Sequence, residues 1–259
     1  MRTSNRTRLS VHPLEGREVP ACVVALGGPD TLVVTGDGAA DAVVLNDNGA
    51  GTVTGWATGA GGFSFNGIAN IRVNTEGGND RVVYNLTRNL LPNQQRVLTV
   101  GLGNTGNDSF TANLFNPRTG VGSDLMAGSS LIMGVFGGAG DDHLTINAHH
   151  DVDVAAGARL KMVLMGQDGN DIIRGYYHGE NDGAVAIRDF DGGAGKDIVR
   201  GLLQEDVGST GVNAGIVHGG DGDDQLALFL LTQNPPIQGL LDTGAGVDTA
   251  VASPNVVIL

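Results

Sequence analysis

The sequence has few of the residues with which soluble domains usually fill and staple a compact core. Of 259 residues, one is cysteine, one is tryptophan, and only 4% are aromatic. The single cysteine, Cys22, excludes an internal disulfide. No apolar run reaches the roughly 20 residues of a membrane-spanning helix, so no membrane span is predicted. A core made of many thin layers of Val, Ile, Leu and Ala is therefore expected.

Positive charge is also scarce. Lys and Arg together number 15 against 28 Asp and Glu, which gives a formal net charge of −13, and the lysines are Lys161 and Lys196 alone. Residues 1–20 are basic and are predicted to be a disordered tail or an export element, whereas 21–259 form one acidic domain. An acidic body repels phosphate groups, so nucleic acid is excluded as a partner.

What the sequence has in excess is glycine, with 43 residues, and much of it lies in a repeated turn. The pattern Gly-Gly-x-Gly-x-Asp-x-apolar occurs at 137–144, 192–199 and 219–226. Looser copies end at Asp80, Asp108, Asp171 and Asp248, so that successive turn aspartates are 24 to 34 residues apart. A turn that returns at this near-constant spacing is typical of a repeat protein.

Short apolar segments before and after each turn indicate the fold class. They predict an all-β chain, a right-handed parallel β-helix or solenoid with about 24–34 residues per coil. A third side of each coil is expected at 151–155, 184–188 and 207–212. The Gly-rich residues 48–62, around Trp56, are predicted to form an added strand that covers one end of the stack.

The residue types of the turn are suited to a hard cation. Glycines let backbone carbonyls point inward, and stacked coils bring carboxylates close enough to share an ion. Calcium, with six to eight oxygen ligands in flexible geometry, fits such a site best. The candidate ligands are Asp142, Asp171, Asp197, Asp224 and Asp248, then Asp80 and Asp108, with Asp141, Asp168, Asp221 and Asp223 as second choices and Gly138, Gly140, Gly193, Gly195, Gly220 and Gly222 shaping the turns. The alternative is a metal-free corner in which Asp and Asn side chains cap the local backbone.

These turns resemble the calcium-binding nonapeptide repeats of the RTX family, here placed one per long coil. The resemblance implies one bank of Ca²⁺ sites along the stack. It weakens where Glu76, Asn104, Gln167 and Thr243 replace glycines of the pattern. The turns nearest the N-terminus are therefore expected to be the weaker sites.

The function expected from these features is that of a non-enzymatic, calcium-binding solenoid with a structural or adhesive role, secreted or at the cell surface. Extracellular polysaccharide and surface proteins are its candidate partners besides calcium. No catalytic residue is predicted, and His149-His150-Asp151 is interpreted as a surface loop. The alternative is a polysaccharide lyase or hydrolase on a parallel β-helix, with Arg174 and Arg200 stacked on one outer face and with Asp189 and Asp191 nearby in the sequence.

Overall fold

A computed structural model describes residues 21–182, 185–232 and 237–259, and the basic segment 1–20 lies outside it. The described chain is a parallel β-solenoid of about six turns. It contains no helix in those ranges, and hence none that is long and apolar enough to cross a membrane. The predicted all-β solenoid is confirmed.

Two ten-stranded sheets form the long sides of the solenoid. The first sheet consists, in spatial order, of β1 (Val23–Gly28), β2 (Thr31–Thr35), β6 (Asn70–Asn74), β8 (Gln95–Gly101), β10 (Ser130–Ala139), β12 (Arg159–Asp168), β14 (Val185–Ala194), β16 (Val212–Asp221), β18 (Ile237–Asp242) and β20 (Val256–Ile258). The second sheet consists of β19 (Thr249–Ala252), β17 (Gln225–Thr232), β15 (Ile198–Glu205), β13 (Ile172–Gly179), β11 (His143–Ala148), β9 (Ser109–Asn113), β7 (Arg81–Leu86), β3 (Ala42–Asp47), β4 (Val53–Ala57) and β5 (Gly61–Phe65).

Each coil runs along a strand of the first sheet, through a Gly/Asp turn, and along a strand of the second. Burial alternates along the strands, as in β10, where Leu131, Met133 and Val135 are fully buried and Ile132 and Gly134 are partly exposed. This alternation follows from the two-residue period of a strand. The core is thus a stack of thin aliphatic layers between the sheets, as the scarcity of aromatic residues predicts.

The two ends of the stack differ. At the N-terminal end β1 pairs antiparallel with β2, and the hairpin β4–β5 pairs antiparallel with β3. This hairpin includes most of the Gly-rich segment predicted to cover an end. At the other end β19 and β20 are the last strands of their sheets, and Val251 and Val257 are exposed there.

The third side of the coil is irregular, with single bridges linking Leu90, Leu125, Val154 and Asn181 in turn. The expectation that 184–188 and 207–212 lie on this side is wrong for the described residues from Val185 to Arg188, which belong to β14, and for Val212, which begins β16. The reason is strand length. β14 and β16 of the first sheet are each 10 residues long, and their first residues include positions predicted to lie on the third side.

Two polar features lock the register of the N-terminal coils. Asn46, Asn85, Asn113 and Asn147 stack on successive strands of the second sheet and hydrogen-bond through their side-chain amides at 2.8 to 3.0 Å. Inside the core, Arg96 forms an ion pair with Asp47, and both side chains are fully buried. The Tyr84 hydroxyl donates to Asp47 Oδ2 at 2.9 Å. A buried charge is tolerated only when it is paired in this way.

Candidate functional site

The turn aspartates form one continuous column along the solenoid. From Asp80 onward, the Oδ1 atom of each accepts a hydrogen bond from the backbone N–H of the turn aspartate one coil earlier, at 2.7 to 2.9 Å. The column comprises Asp41, Asp80, Asp108, Asp142, Asp171, Asp197, Asp224 and Asp248. The sequence-predicted aspartates therefore stack as expected, and Asp41 adds a member that the sequence analysis did not include.

A second, exposed column runs beside it, one residue earlier in each turn. Its Asn and Asp side chains accept from the backbone N–H of the next coil: Asn79 from Asn107, Asn107 from Asp141, Asp141 from Asn170, Asn170 from Lys196, and Asp223 from Val247. The inner and outer columns thus bond in opposite directions along the stack. Together they satisfy backbone donors that the sheets cannot reach at the corner.

The glycines of the motif have two separate structural reasons. Gly138 and Gly140 have φ values of 112° and 135°, which side-chain-bearing residues rarely adopt. A Cβ atom at Gly140 would also lie 1.7 Å from the carbonyl oxygen of Gly106 in the preceding coil. Gly193, Gly195, Gly220 and Gly222 repeat these φ values in the later turns. The corner packs backbone against backbone, so its glycines are required whether or not an ion is bound.

A matched pair of glycine substitutions tests this packing. We expect Gly140→Ala to lower the free energy of unfolding by about 3 kcal/mol, because left-handed strain and displacement of a neighbouring backbone add together. Gly61→Ala is the control, since Gly61 has a φ of 73° but a Cβ atom there would meet nothing within 4 Å. It should cost about 1 kcal/mol from backbone strain alone. Equal losses in denaturant unfolding would show that the corner is loosely packed.

The imperfect turns adopt the same geometry as the perfect ones. Gln167 and Glu76 stand at the second glycine position and hold left-handed φ values of 80° and 69°. Their turn aspartates, Asp171 and Asp80, take their places in the inner column like the others. A turn that departs from the sequence pattern therefore has the same backbone conformation as one that matches it. The N-terminal turns do not differ in geometry from the C-terminal ones.

Burial dominates the electrostatics of the inner column. Asp171 and Asp197 are fully buried, and Asp108 and Asp142 nearly so. Loss of hydration raises the pKa of Asp108 and Asp171 to about 7 and that of Asp142 and Asp197 to about 6, although each gains a backbone hydrogen bond that opposes the rise. Repulsion from neighbouring aspartates adds to the rise at Asp171. The column therefore holds negative charge at a high cost near neutral pH.

In the four turns from Asp142 to Asp224, one carboxylate oxygen of the aspartate has no hydrogen-bond partner in the described part of the chain. The Oδ2 atoms of Asp142, Asp171, Asp197 and Asp224 are buried and have no hydrogen-bond partner among the described residues. Each faces the first glycine of its own turn. A Cβ atom at Gly137 would lie 2.3 Å from Asp142 Oδ2 and 2.6 Å from the carbonyl oxygen of Gly166 in the next coil.

The same pair of oxygens recurs in the following turns. At Gly192 the corresponding distances are 2.5 Å to Asp197 Oδ2 and 2.5 Å to the Gly219 carbonyl oxygen, and at Gly219 they are 2.6 Å to Asp224 Oδ2 and 2.4 Å to the Thr243 carbonyl oxygen. In each of these turns a carboxylate oxygen and a carbonyl oxygen therefore lie so close to the Cα of the first glycine that no side chain fits there. Both donors are of the hard type that Ca²⁺ prefers.

The second-choice acids lie outside this column and apart from one another. Asp168 and Asp221 are exposed, and Ala194 stands between them in the strand register, which puts them two coils, or roughly 10 Å, apart. Asp141 and Asp223 belong to the outer column, where Asn170 and Lys196 separate them. The Lys196 ammonium lies 3.5 Å from Asp223 Oδ2. These acids do not converge on a shared ion.

The residues of the enzyme alternative are divided between the sheets. Arg174 and Arg200 are register partners in β13 and β15, as the sequence predicts, and belong to the second sheet. Asp189 and Asp191 lie on β14 of the first sheet, beside His218. The arginines and acids therefore lie on different long sides of the solenoid.

The sequence analysis missed a second cluster of side chains. Asp151, His178 and Asp206 each offer a ligand atom within 4.8 Å of the others, and they are the one such group of three or more among the described His, Cys, Asp and Glu residues. Their separations of 27 and 28 residues match the coil period, a signal that could have revealed them. The local sequence of His149-His150-Asp151 predicts only a surface loop, and these residues do lie in a turn.

Comparison with known proteins identifies no family for this chain. No protein-family model matches the chain, and neither the curated proteins nor the solved structures give a significant match.

Proposed function

We propose that the chain is a non-enzymatic structural or adhesive module whose inner turn column binds Ca²⁺ between successive coils, at the cell surface or outside the cell. The observation that carries the proposal is the set of buried, unpaired Oδ2 atoms of Asp142, Asp171, Asp197 and Asp224. A buried acceptor without a partner costs free energy, and a charged one costs more. A cation bound at each turn would remove this free-energy cost.

The donor set supports calcium over other divalent ions. Each of these inner turns brings a carboxylate oxygen and a carbonyl oxygen of the next coil together beside its first glycine, as at Gly137, and offers no sulfur or imidazole. Zinc favours nitrogen and sulfur ligands, and magnesium requires a near-ideal octahedron of short bonds. When bound, calcium would supply positive charge between coils, while Oδ1 of each aspartate stays committed to the backbone of the preceding coil.

Protons are the competing way to neutralise the column. The raised pKa values of Asp108 and Asp171, about 7, indicate that a metal-free column is partly protonated near neutral pH. Proton and cation would therefore compete for the same oxygens. Extracellular calcium modules work with dissociation constants of about 10⁻⁴ to 10⁻³ M, which fits an ion that must displace protons.

The non-enzymatic part of the proposal is supported by the placement of the charged side chains. Arg174 and Arg200 lie on the second sheet and Asp189 and Asp191 on the first. A polysaccharide lyase or hydrolase needs its acids and its cationic group around one bond of the substrate. Extracellular polysaccharide and surface proteins remain the proposed partners of the outer faces.

Thermal unfolding in calcium and in chelator tests the proposal. Millimolar Ca²⁺ is expected to raise the melting temperature by several degrees, since a ligand at about ten times its Kd adds about 1.4 kcal/mol per site. In Asp171→Asn, the amide oxygen still accepts from Asp142 N–H while an amide nitrogen replaces Oδ2. This variant should fold in chelator at least as stably as the wild type and should gain less from calcium.

The matched control is Asp223→Asn, which changes an exposed acid of the outer column. Its calcium response should equal that of the wild type. Identical melting of the wild type in calcium and in chelator would refute calcium binding. A response lost in Asp223→Asn but kept in Asp171→Asn would place the ions on the outer column and refute the inner-column site.

A further inference from the structure

The third side of the solenoid carries a cluster that differs in chemistry from the calcium turns. Asp151 follows β11, His178 is near the end of β13, and Asp206 follows β15, so three consecutive coils contribute one side chain each. One ligand atom from each lies within 4.8 Å of the other two. His178 Nε2 and Asp206 Oδ1 are 3.2 Å apart.

The backbone fixes these three residues in place. The Val152 N–H donates to the His178 carbonyl at 2.8 Å, and the Asp206 N–H donates to the Gly179 carbonyl at 3.2 Å. Asp151 itself has a φ of 58°, a left-handed conformation that is uncommon outside glycine. His178 and Asp206 are about one-third and two-fifths exposed, so an ion can reach them from solvent.

The surroundings hold an excess of negative charge. Glu180, two residues after His178, donates its backbone N–H to Asp153 Oδ1 at 2.8 Å, and Asp182 follows two residues later. The ion pairs found in the described chain place no Lys or Arg against these acids. A dication would compensate this charge, whereas a single imidazolium cannot.

We propose that Asp151, His178 and Asp206 form a binding site for a divalent transition-metal ion, with Zn²⁺ the best fit. Calcium takes oxygen ligands, so an imidazole at the centre of the cluster selects against it. One imidazole nitrogen and two carboxylates suit zinc, with water completing a four-coordinate shell. The site is independent of the calcium turns, which lie at a different corner of the coil.

The physical role of such an ion would be to hold three coils together at the end of the second sheet. There the ladder of β13 and β15 ends at Gly179 and Glu205, and beyond it isolated bridges follow, such as Val154 to Asn181. A metal that joins successive coils there adds cross-links without added strand length. Its effect on stability is by mass action, because it binds the folded chain and not the separated coils.

Calorimetric titration with Zn²⁺, in a buffer that contains millimolar Ca²⁺, tests the site. The excess of calcium competes with zinc for sites made of oxygen ligands alone, whereas an imidazole ligand favours zinc. We expect the wild type to bind one Zn²⁺ with micromolar or tighter affinity. His178→Ala and Asp206→Asn should each lose at least about tenfold in affinity, since even the partners of metal ligands matter by 10- to 100-fold.

The matched control is His218→Ala. His218 also lies between two carboxylates, with Nε2 3.7 Å from Asp189 and Nδ1 3.5 Å from Asp242, yet it belongs to no three-ligand group among the described residues. This control should bind zinc like the wild type. Absence of a stoichiometric zinc isotherm in the wild type, unchanged affinity in both His178→Ala and Asp206→Asn, or an equal loss in His218→Ala would overturn the proposal. None of these results depends on whether the turns bind calcium.

Discussion

Acidification in the presence of a chelator, from about pH 8 to about pH 5, is expected to stabilise this acidic protein rather than to weaken it. The folded-state pKa values of Asp108 and Asp171 are about 7, and those of Asp142 and Asp197 about 6, against an ordinary value of 3.8. Between these limits the folded state binds protons that the unfolded state does not. The resulting stability is complete below the ordinary pKa and is lost as the pH rises through 6 and 7.

The effect should be large because several carboxyl groups act together. One unit of pKa difference corresponds to about 1.4 kcal/mol. A gain of a few kcal/mol raises the melting temperature of a chain of this size by more than about 5 °C. The lowered pKa values of His143 and His149 act in the opposite direction and reduce the net gain.

Two further conditions identify the source of this pH dependence. The double variant Asp171→Asn/Asp197→Asn removes two of the titrating groups and should flatten the curve of melting temperature against pH. Saturating calcium should also flatten it, because the ion stabilises the deprotonated column. A melting temperature that falls steadily from about pH 8 to about pH 5 in chelator would contradict the assignment of raised pKa values to the column.

Removal of the buried carboxylate in Asp47→Ala is expected to cost about 3 to 5 kcal/mol of unfolding free energy. The change leaves the Arg96 guanidinium, which is fully buried, without its counter-ion. It also removes the acceptor of the Tyr84 hydroxyl and of the Gly49 N–H. Denaturant unfolding followed by circular dichroism measures the loss.

Two variants show whether the charge itself causes this loss. Asp223→Ala removes an exposed carboxylate and should change stability by less than about 0.5 kcal/mol. Asp47→Ala/Arg96→Met removes both charges and should recover part of the stability, because no unpaired charge is then buried. A double variant that is less stable than Asp47→Ala by the full cost of a second core substitution would show that packing, and not charge, dominates.

The fold was predictable because its two strongest signals are local and periodic. Turn aspartates at 24 to 34 residues, with apolar segments on each side, define the coil before any long-range contact is known. The strands around Ile71, Val97 and Met162 were expected for this reason and lie in β6, β8 and β12. The third side was not predictable in the same way, since its single bridges, such as Leu90 to Leu125, leave no alternating pattern.

The candidate site was predictable only as a set of residues. The sequence places Asp142, Asp171 and Asp197 in one column, but it does not say which way their carboxylates turn. The structure commits Oδ1 to backbone donors and leaves Oδ2 buried, which combines the capping role with free oxygens for an ion. Asp151, His178 and Asp206 are not evident from the sequence because the residue type changes from coil to coil, so that only their spacing marks them.

The hydrogen bonds of the two turn columns run in opposite directions along the stack, so the two ends of a growing solenoid are not equivalent. The Asp171 N–H is satisfied by Asp197, which lies in the next coil, whereas the Asn170 N–H is satisfied by Asp141 in the previous one. When the chain emerges from its N-terminus, a new coil can close its outer bond at once but must wait for its successor to close the inner one. A coil at the growing end would therefore keep an unsatisfied inner N–H until the next coil packs against it.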